Sequence, residues 1–226
     1  MSTLTTHKPL ARASLADLVY HRLLDSILAG TLPSGAALII ADIAKELEVS
    51  PSPVREAILR LEAEGLVSSP TNRRATVVSF VDRDIIQFFY VRELLECGAT
   101  RLAAVNIDER GLADVRRAAE ECAALQDDPA QKKEMVDLDN RFHFKIAEAS
   151  GNRVLLDEIV RISRRVRVMQ WLRLTNASMK RAYAQHLEII AGLERHDPDA
   201  AALAMATHIR RAAQYVMEGL RRADKA

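Results

Sequence analysis

Residues Ile39 to Val78, IIADIAKELEVSPSPVREAILRLEAEGLVSSPTNRRATVV, decide the fold of the N-terminal third. The apolar spacing predicts two short amphipathic helices, over about 40–48 and 52–64. Val49-Ser50-Pro51 breaks the first. Ser52 is the expected N-cap of the second, with Pro53 at the first helical position, where a missing N–H costs nothing. Val54, Ile58 and Leu61 form an inward stripe; Arg55 lies on the opposite face and Ser52 at the exposed start. Gly65 stops the helix as a left-handed cap. Leu66–Ser69 and Ala75–Phe80 alternate as two short strands, joined by a hairpin tip at Pro70-Thr71-Asn72-Arg73-Arg74. Two helices at a steep angle, the second turning its first turn outward, are how a chain places side chains in a DNA major groove.

The residues on either side complete that unit. Ser14 to Ala29 reads as a helix, opened by a Ser14/Asp17 capping box and ended by Gly30. Its expected apolar face is Leu15, Leu18, Val19, Leu23 and Ile27, and Pro33-Ser34-Gly35 is a turn. Residues 1–13 are polar and expected to be a disordered tail, 14–80 a winged helix–turn–helix domain, and 81–226 an all-helical domain. Six helical stretches follow, at about 82–105, 108–126, 130–149, 152–174, 178–195 and 198–222. Their short connections imply antiparallel neighbours in a bundle. The fold class is therefore mostly α: a winged helix–turn–helix followed by an antiparallel helical bundle.

Composition narrows the function classes. The chain has 226 residues, 49% hydrophobic and 28% charged, with a net charge of +1, which gives no support to a generic polyanion binder. Residues 1–80 carry eight Lys or Arg and eight Asp or Glu, so DNA binding has to come from local Arg placement and from two subunits sharing the phosphate contacts. No run of about eighteen apolar residues occurs, so no membrane span is expected. MSTLTTHKPLARAS has no apolar signal core, so the expected location is cytoplasmic. Cys97 and Cys122 fall within helical patterns, far from any CxxC spacing, and read as reduced thiols used as small core residues.

Arg55, one turn into its helix, can reach a guanine edge or a phosphate; the alternative is a surface salt bridge to Glu56 or Glu62. Ser50 and Ser52 can donate to phosphates, and Arg73 and Arg74 at the wing tip suit the minor groove or the backbone. In the bundle, Asp139 and His143 share a helix face beside Phe142 and Ile146. His186 and His208 are each mid-helix among apolar neighbours. Three imidazoles and a carboxylate suit Zn²⁺, Ni²⁺, Mn²⁺ or Fe²⁺, with a position open for water or a ligand carboxylate. The competing readings are a surface i,i+4 pair and ordinary packed histidines. A metal-dependent hydrolase and a constitutive DNA binder with a purely dimerising bundle are the rival functions. Arg161, Arg164, Arg165 and Arg167 form a basic run, either solvated or with one member clamping an organic anion. Arg92, flanked by apolar residues, is a second candidate clamp, because a buried Arg needs a partner. Asn152 joins Arg92 and Arg164 as an effector-site candidate.

ILAGTLPSGAAL, IAKELEVSPSPVREAILRLEAEGLV, VRELLECGATRLAA, DNRFHFKIAEASGN, QHLEIIAGL and HIRRAA, in that order, resemble the GntR superfamily of bacterial transcription regulators, in its FadR-like branch with the helical FCD ligand domain. The resemblance covers the chain after about residue 13. It implies a homodimer that reads a palindromic double-stranded DNA operator, and a bundle that senses a small organic or sugar acid, often with a divalent metal. It maps the metal ligands onto Asp139, His143, His186 and His208, and the base-reading Arg onto Arg55. Relatives commonly have Arg where this chain has Ala41 and Pro51, and Gly in the wing where it has Arg74. The operator sequence is therefore not transferable, and Arg73 and Arg74 are expected to replace lost phosphate contacts.

Overall fold

The computed structural model describes residues 14–28, 31–69, 74–79, 81–125, 131–173 and 176–223. The expected tail at 1–13, the stop at Gly30 and the wing tip with Arg73 lie outside the described residues. The chain divides into two compact units, 1–79 and 80–226.

In the first unit, α1 (Leu15–Leu28) opens on the expected capping box. The Ser14 N–H donates to Asp17 Oδ2 at 2.8 Å, and the Asp17 N–H donates back to Ser14 Oγ at 3.1 Å. Its buried arc is Ala16, Val19, Tyr20, Leu23, Leu24 and Ile27. Leu15 and Leu18, assigned to that face from sequence, are instead 50% and 57% exposed, because the 3.6-residue period centres the inward arc one position further on. α2 (Ile40–Glu46) ends earlier than its apolar pattern suggests. Glu48 takes a left-handed conformation (φ 53°), and the Val49 N–H closes back onto Ala44 O.

α3 (Pro51–Ala63) begins before the expected start, and Ser50, not Ser52, is its N-cap residue. Pro51 then holds the first helical position. Pro53 still falls in the first turn, where backbone N–H groups lack intrahelical acceptors, so both prolines fit without breaking a bond. Val54, Ala57, Ile58 and Leu61 are buried as the stripe requires. Gly65 (φ 79°) ends the helix: its N–H reaches Glu62 O and the Leu66 N–H reaches Leu61 O, the paired bonds of a Schellman motif. Three short strands make the sheet: β1 (Ala37–Leu38), β2 (Val67–Ser68) and β3 (Ala75–Val77), ordered β1-β3-β2 and antiparallel. The sequence pattern predicts only the last two. A two-residue strand shows no alternation, and β1 exists by pairing Ala37 with Thr76 and Leu38 with Ala75.

The described elements of the second unit are all helices: α4 (Asp82–Asn106), α5 (Glu109–Ala124), α6 (Lys132–Ala149), α7 (Arg153–Arg173), α8 (Asn176–Glu194) and α9 (Pro198–Ala223). Short polar side chains start several of them. Asp108 Oδ1 accepts from Gly111 at α5, Asn152 Oδ1 from Leu155 at α7, and Asp197 Oδ1 from Ala200 at α9, just before Pro198. Chain adjacency predicts the neighbours only in part. α5 packs on α6, α6 on α7 and α8 on α9, whereas α4/α5 and α7/α8 make little contact. Ile107 leaves α4 in an extended conformation (ψ 131°), which frees α5 from following it.

α4 is the hub, packed against α9, α7, α6 and α8. Ala99, Thr100, Ala103 and Ala104 line its buried side, small enough to let neighbouring backbones come close. α8 and α9 are closer still: a Cβ built on Gly192 would fall 2.6 Å from Ala201 Cα. Among the described residues no helix is long and apolar enough to cross a membrane.

Candidate metal centre and nucleic-acid face

The cap and first turns of α3 hold three of the candidate DNA contacts. Ser50, Ser52 and Arg55 are all exposed, as is Arg74 at the edge of β3. Ser50 makes no side-chain cap bond, so its hydroxyl is available to a ligand. Arg55 and Arg74 line one groove of about 450 Å³, with Ala41, Leu59 and Glu62 among its other walls. The salt bridge weighed for Arg55 has no counterpart among the described residues: Glu62 instead accepts the Ser69 N–H at 3.1 Å. The other α3 arginine has a structural task. Arg60 pairs with Asp17 at 2.5 Å and lies 4.2 Å over the Tyr20 ring, tying α3 to α1. Its hydrogen bond, with that of Ser14, holds the Asp17 carboxyl down to about 2.

In the bundle, α6 places Asp139 and His143 one turn apart and facing inward, α8 contributes His186 and α9 contributes His208. All four are buried, and one ligand atom from each lies within 4.8 Å of the other three. His143 Nε2 is 3.1 Å from His208 Nε2 and 3.8 Å from Asp139 Oδ2; His186 Nε2 is 3.2 Å from Asp139 Oδ1. Donors about 2.0–2.2 Å from a common ion stand roughly 3–3.5 Å apart, so the spacing suits one transition-metal ion. The Phe142 ring stacks on His186 at 4.0 Å and walls the cluster on that side.

Electrostatics point the same way. Burial pushes the His208 imidazole well below its ordinary value, and His186 and His143 push it further. Burial lowers His186 too, against the opposing pull of Asp139. Both are thereby kept neutral, the form that ligates metal. Burial alone would raise Asp139, but the contact with His186, the largest of the opposing causes, helps outweigh it and hold the carboxyl well below the usual range.

Two residues that the sequence reading passed over complete the cluster. Glu96, 2% exposed on α4, meets His143 Nδ1 through Oε2 at 2.5 Å and Arg92 Nε through Oε1 at 2.5 Å. Arg92 and then His143 overcome the burial cost and hold the Glu96 carboxyl at about 2. Gln185 accepts from His208 Nδ1 through Oε1 at 3.0 Å. Arg92 is fully buried, and its Nη1 and Nη2 have no hydrogen-bond partner. The enclosed set thus holds two carboxylates against one guanidinium, a leftover negative charge that a divalent cation offsets. Donor set, spacing and charge all fit a metal ion.

The remaining effector candidates sit elsewhere. Arg164 is exposed and lines a separate cavity of about 150 Å³ with Asn140, Ser163 and Arg167. Asn152 is exposed and spends its Oδ1 on the α7 cap. Arg161 and Arg165 are exposed as well. Cys122 is buried, which raises its thiol; Cys97 is half-buried, and its thiol rises to about 11.

Known proteins carry both units. The FCD domain family matches residues 87–211, and the family described as bacterial regulatory proteins, gntR family, matches residues 15–78. The Nta operon transcriptional regulator of Aminobacter aminovorans is 29% identical over 182 residues, covering 80% of this chain and 84% of that protein. The probable D-xylose utilization operon transcriptional repressor of Paenarthrobacter nicotinovorans is 28% identical over 204 residues, covering 90% and 89%. Among solved structures, E. coli McbR/YncC superposes with a TM-score of 0.65 at 23% identity, covering 92% of this chain and 99% of that one.

Proposed function

Because the chain belongs to the GntR family of bacterial regulatory proteins, with an FCD domain behind its DNA-binding unit, and is a transcription regulator rather than an enzyme, we propose that it is a homodimeric, metal-assisted repressor answering to a small organic acid. FCD domains bind metal ions, and Asp139, His143, His186 and His208 are the residues that would hold one here. Such an ion would supply an electrophilic position for an effector carboxylate. The observation that carries the reading is Arg92. A buried guanidinium with two unpartnered nitrogens, one carboxylate away from His143, is costly until an anion meets it. Charge sets the valence: a divalent ion turns the leftover negative charge into a single positive one, which one monocarboxylate neutralises.

Arg92 has no exposure, so an anion reaches it only by shifting the packing around α4. α4 follows the wing directly in the chain, and that shift is the proposed route from effector to operator. Dimer recognition needs half-sites about 34–36 Å apart, so a small reorientation abolishes simultaneous docking. A coupling of about 1–3 kcal/mol changes operator affinity roughly 5–150-fold. The second subunit is proposed to dock on α4, where Ile86, Tyr90, Leu94, Leu102 and Val105 are 40–66% exposed, beside Leu203 of α9 at 67%. Ser50, Ser52, Arg55, Arg73 and Arg74 are the proposed operator contacts, with Arg55 reading a base. Repression, rather than activation, follows the D-xylose operon relative.

The test is a thermal-shift screen of organic and sugar acids on zinc-loaded protein, followed by operator binding with each hit. A carboxylate that stabilises the chain and changes DNA affinity, while its neutral amide and the Arg92→Met variant are inert, is the expected result. Equal stabilisation by acid and amide would remove the carboxylate anchor from the reading.

A further inference from the structure

His143 and His208 face each other through Nε2 atoms 3.1 Å apart. An imidazole in its neutral form has one N–H and one bare lone pair, and its partners decide which nitrogen is which. His143 Nδ1 lies 2.5 Å from Glu96 Oε2 in a buried ion-pair contact that falls short of hydrogen-bond geometry; a carboxylate oxygen can only accept, so the contact favours the hydrogen on Nδ1 and leaves Nε2 bare. His208 Nδ1 donates to Gln185 Oε1, so its Nε2 is bare too. Two lone pairs then point at each other inside a buried cluster, and a shared cation relieves both. Glu96 does more than orient a ring. Its other oxygen holds Arg92 Nε, so the same carboxylate touches a metal ligand and the anchor assigned to the effector.

We propose that Glu96 is the positioning residue of this centre: it fixes the His143 tautomer, aims Nε2 at the ion and ties that ligand to Arg92. The proposal rests on the metal reading above. Gln185 holds His208 in the same way from α8, so two of the three imidazoles are locked from behind, one by a charged partner and one by a neutral amide. Glu96 matters more, because it also compensates a buried guanidinium. Partners behind a ligating His are worth about 10–100-fold in metal affinity.

Two measurements on the full-length chain test it. In metal-free protein labelled with ¹⁵N-histidine, long-range ¹H–¹⁵N correlations report which ring nitrogen of His143 carries the proton. Wild type is expected to show Nδ1–H alone, and Glu96→Gln a mixture of both tautomers. Zinc affinity, measured by competition with a chelator, is expected to fall about 10–100-fold in Glu96→Gln. Should Glu96→Gln fail to fold, the Arg92→Met/Glu96→Leu pair removes both charges together and leaves neither unpaired. It is expected to show the same zinc loss and the same tautomer mixing. A single Nδ1–H tautomer with zinc affinity within threefold of wild type, in whichever variant folds, overturns the proposal. Wild type that takes up no zinc overturns instead the metal reading beneath it.

Discussion

Gly192→Ala tests how the bundle holds its cluster. The added Cβ would sit 2.6 Å from Ala201 Cα, 2.7 Å from its N and 2.9 Å from its Cβ, so it meets backbone with no rotamer to turn away. Ordinary carbon contacts are about 3.5–4.0 Å, so α8 and α9 must part by about 1 Å. Overpacking of this kind costs about 1–3 kcal/mol, and the alanine returns about 1 kcal/mol of helix propensity. The net loss is up to about 2 kcal/mol, a Tm lower by about 2–4 °C for each kcal/mol in a domain this size. The effect on the metal is larger. His186 lies six residues before Gly192 and His208 seven after Ala201, about 9 Å and about 10.5 Å from the wedge along their helices. Ligand distances tolerate only about 0.2 Å, so a parting of 1 Å spoils the set. Zinc affinity is expected to fall at least about tenfold, the low end of the loss for a disturbed ligand shell. Thermal melts with and without zinc, and chelator competition, read both effects. An unchanged Tm with zinc affinity within twofold of wild type would refute the close approach of α8 to α9 as the feature that aligns His186 with His208.

Two further outcomes are expected. Leu94→Glu places a charge on a side chain 59% exposed, so it should leave the fold intact while converting a dimer to a monomer by light scattering; an unchanged mass would remove α4 as the subunit contact. Metal-free protein should lose stability as pH falls from 7.5 to 5.5. His186 and His208 have folded-state values below the ordinary 6.5, so the unfolded chain takes up protons first, and their contribution is complete above pH 6.5 and declines below it. Glu96 and Asp139 are depressed from 4.5 and 3.8 and act only below that window. A Tm that is flat across it would contradict the buried, neutral state of the two imidazoles.

Much of this architecture can be read without coordinates, and the exceptions have physical causes. The helix periods and the Asp197–Pro198 start are local properties of the chain, and the six bundle helices fall within a few residues of their expected bounds. The start of α3 is ambiguous because SPSP offers two cap-then-proline registers, each acceptable to a first turn that lacks acceptors. β1 is invisible because its two residues are a strand only by virtue of β3. The α4–α9 contact escapes because it joins elements nearly a hundred residues apart, through alanines that carry no signal beyond helix propensity.

The same distinction separates the proposed ligands from the residue proposed to position them. Asp139, His143, His186 and His208 are legible because imidazoles among apolar neighbours are unusual, and an i,i+4 Asp–His pair on an inward face is rarer still. Arg92 and Glu96 are also four apart, but Arg and Glu at that spacing are an ordinary pattern on exposed helices, where such a pair contributes only a few tenths of a kcal/mol. What sets this pair apart is that both are buried, at 0% and 2% exposure, because they lie on the side of α4 that other helices cover. Once enclosed, neither charge is tolerable alone, since breaking a buried pair costs about 3–5 kcal/mol. An ion pair held in the core without being the cheapest way to fill it suits a task, and the second oxygen of Glu96, 2.5 Å from His143, is the contact on which the proposed positioning role rests.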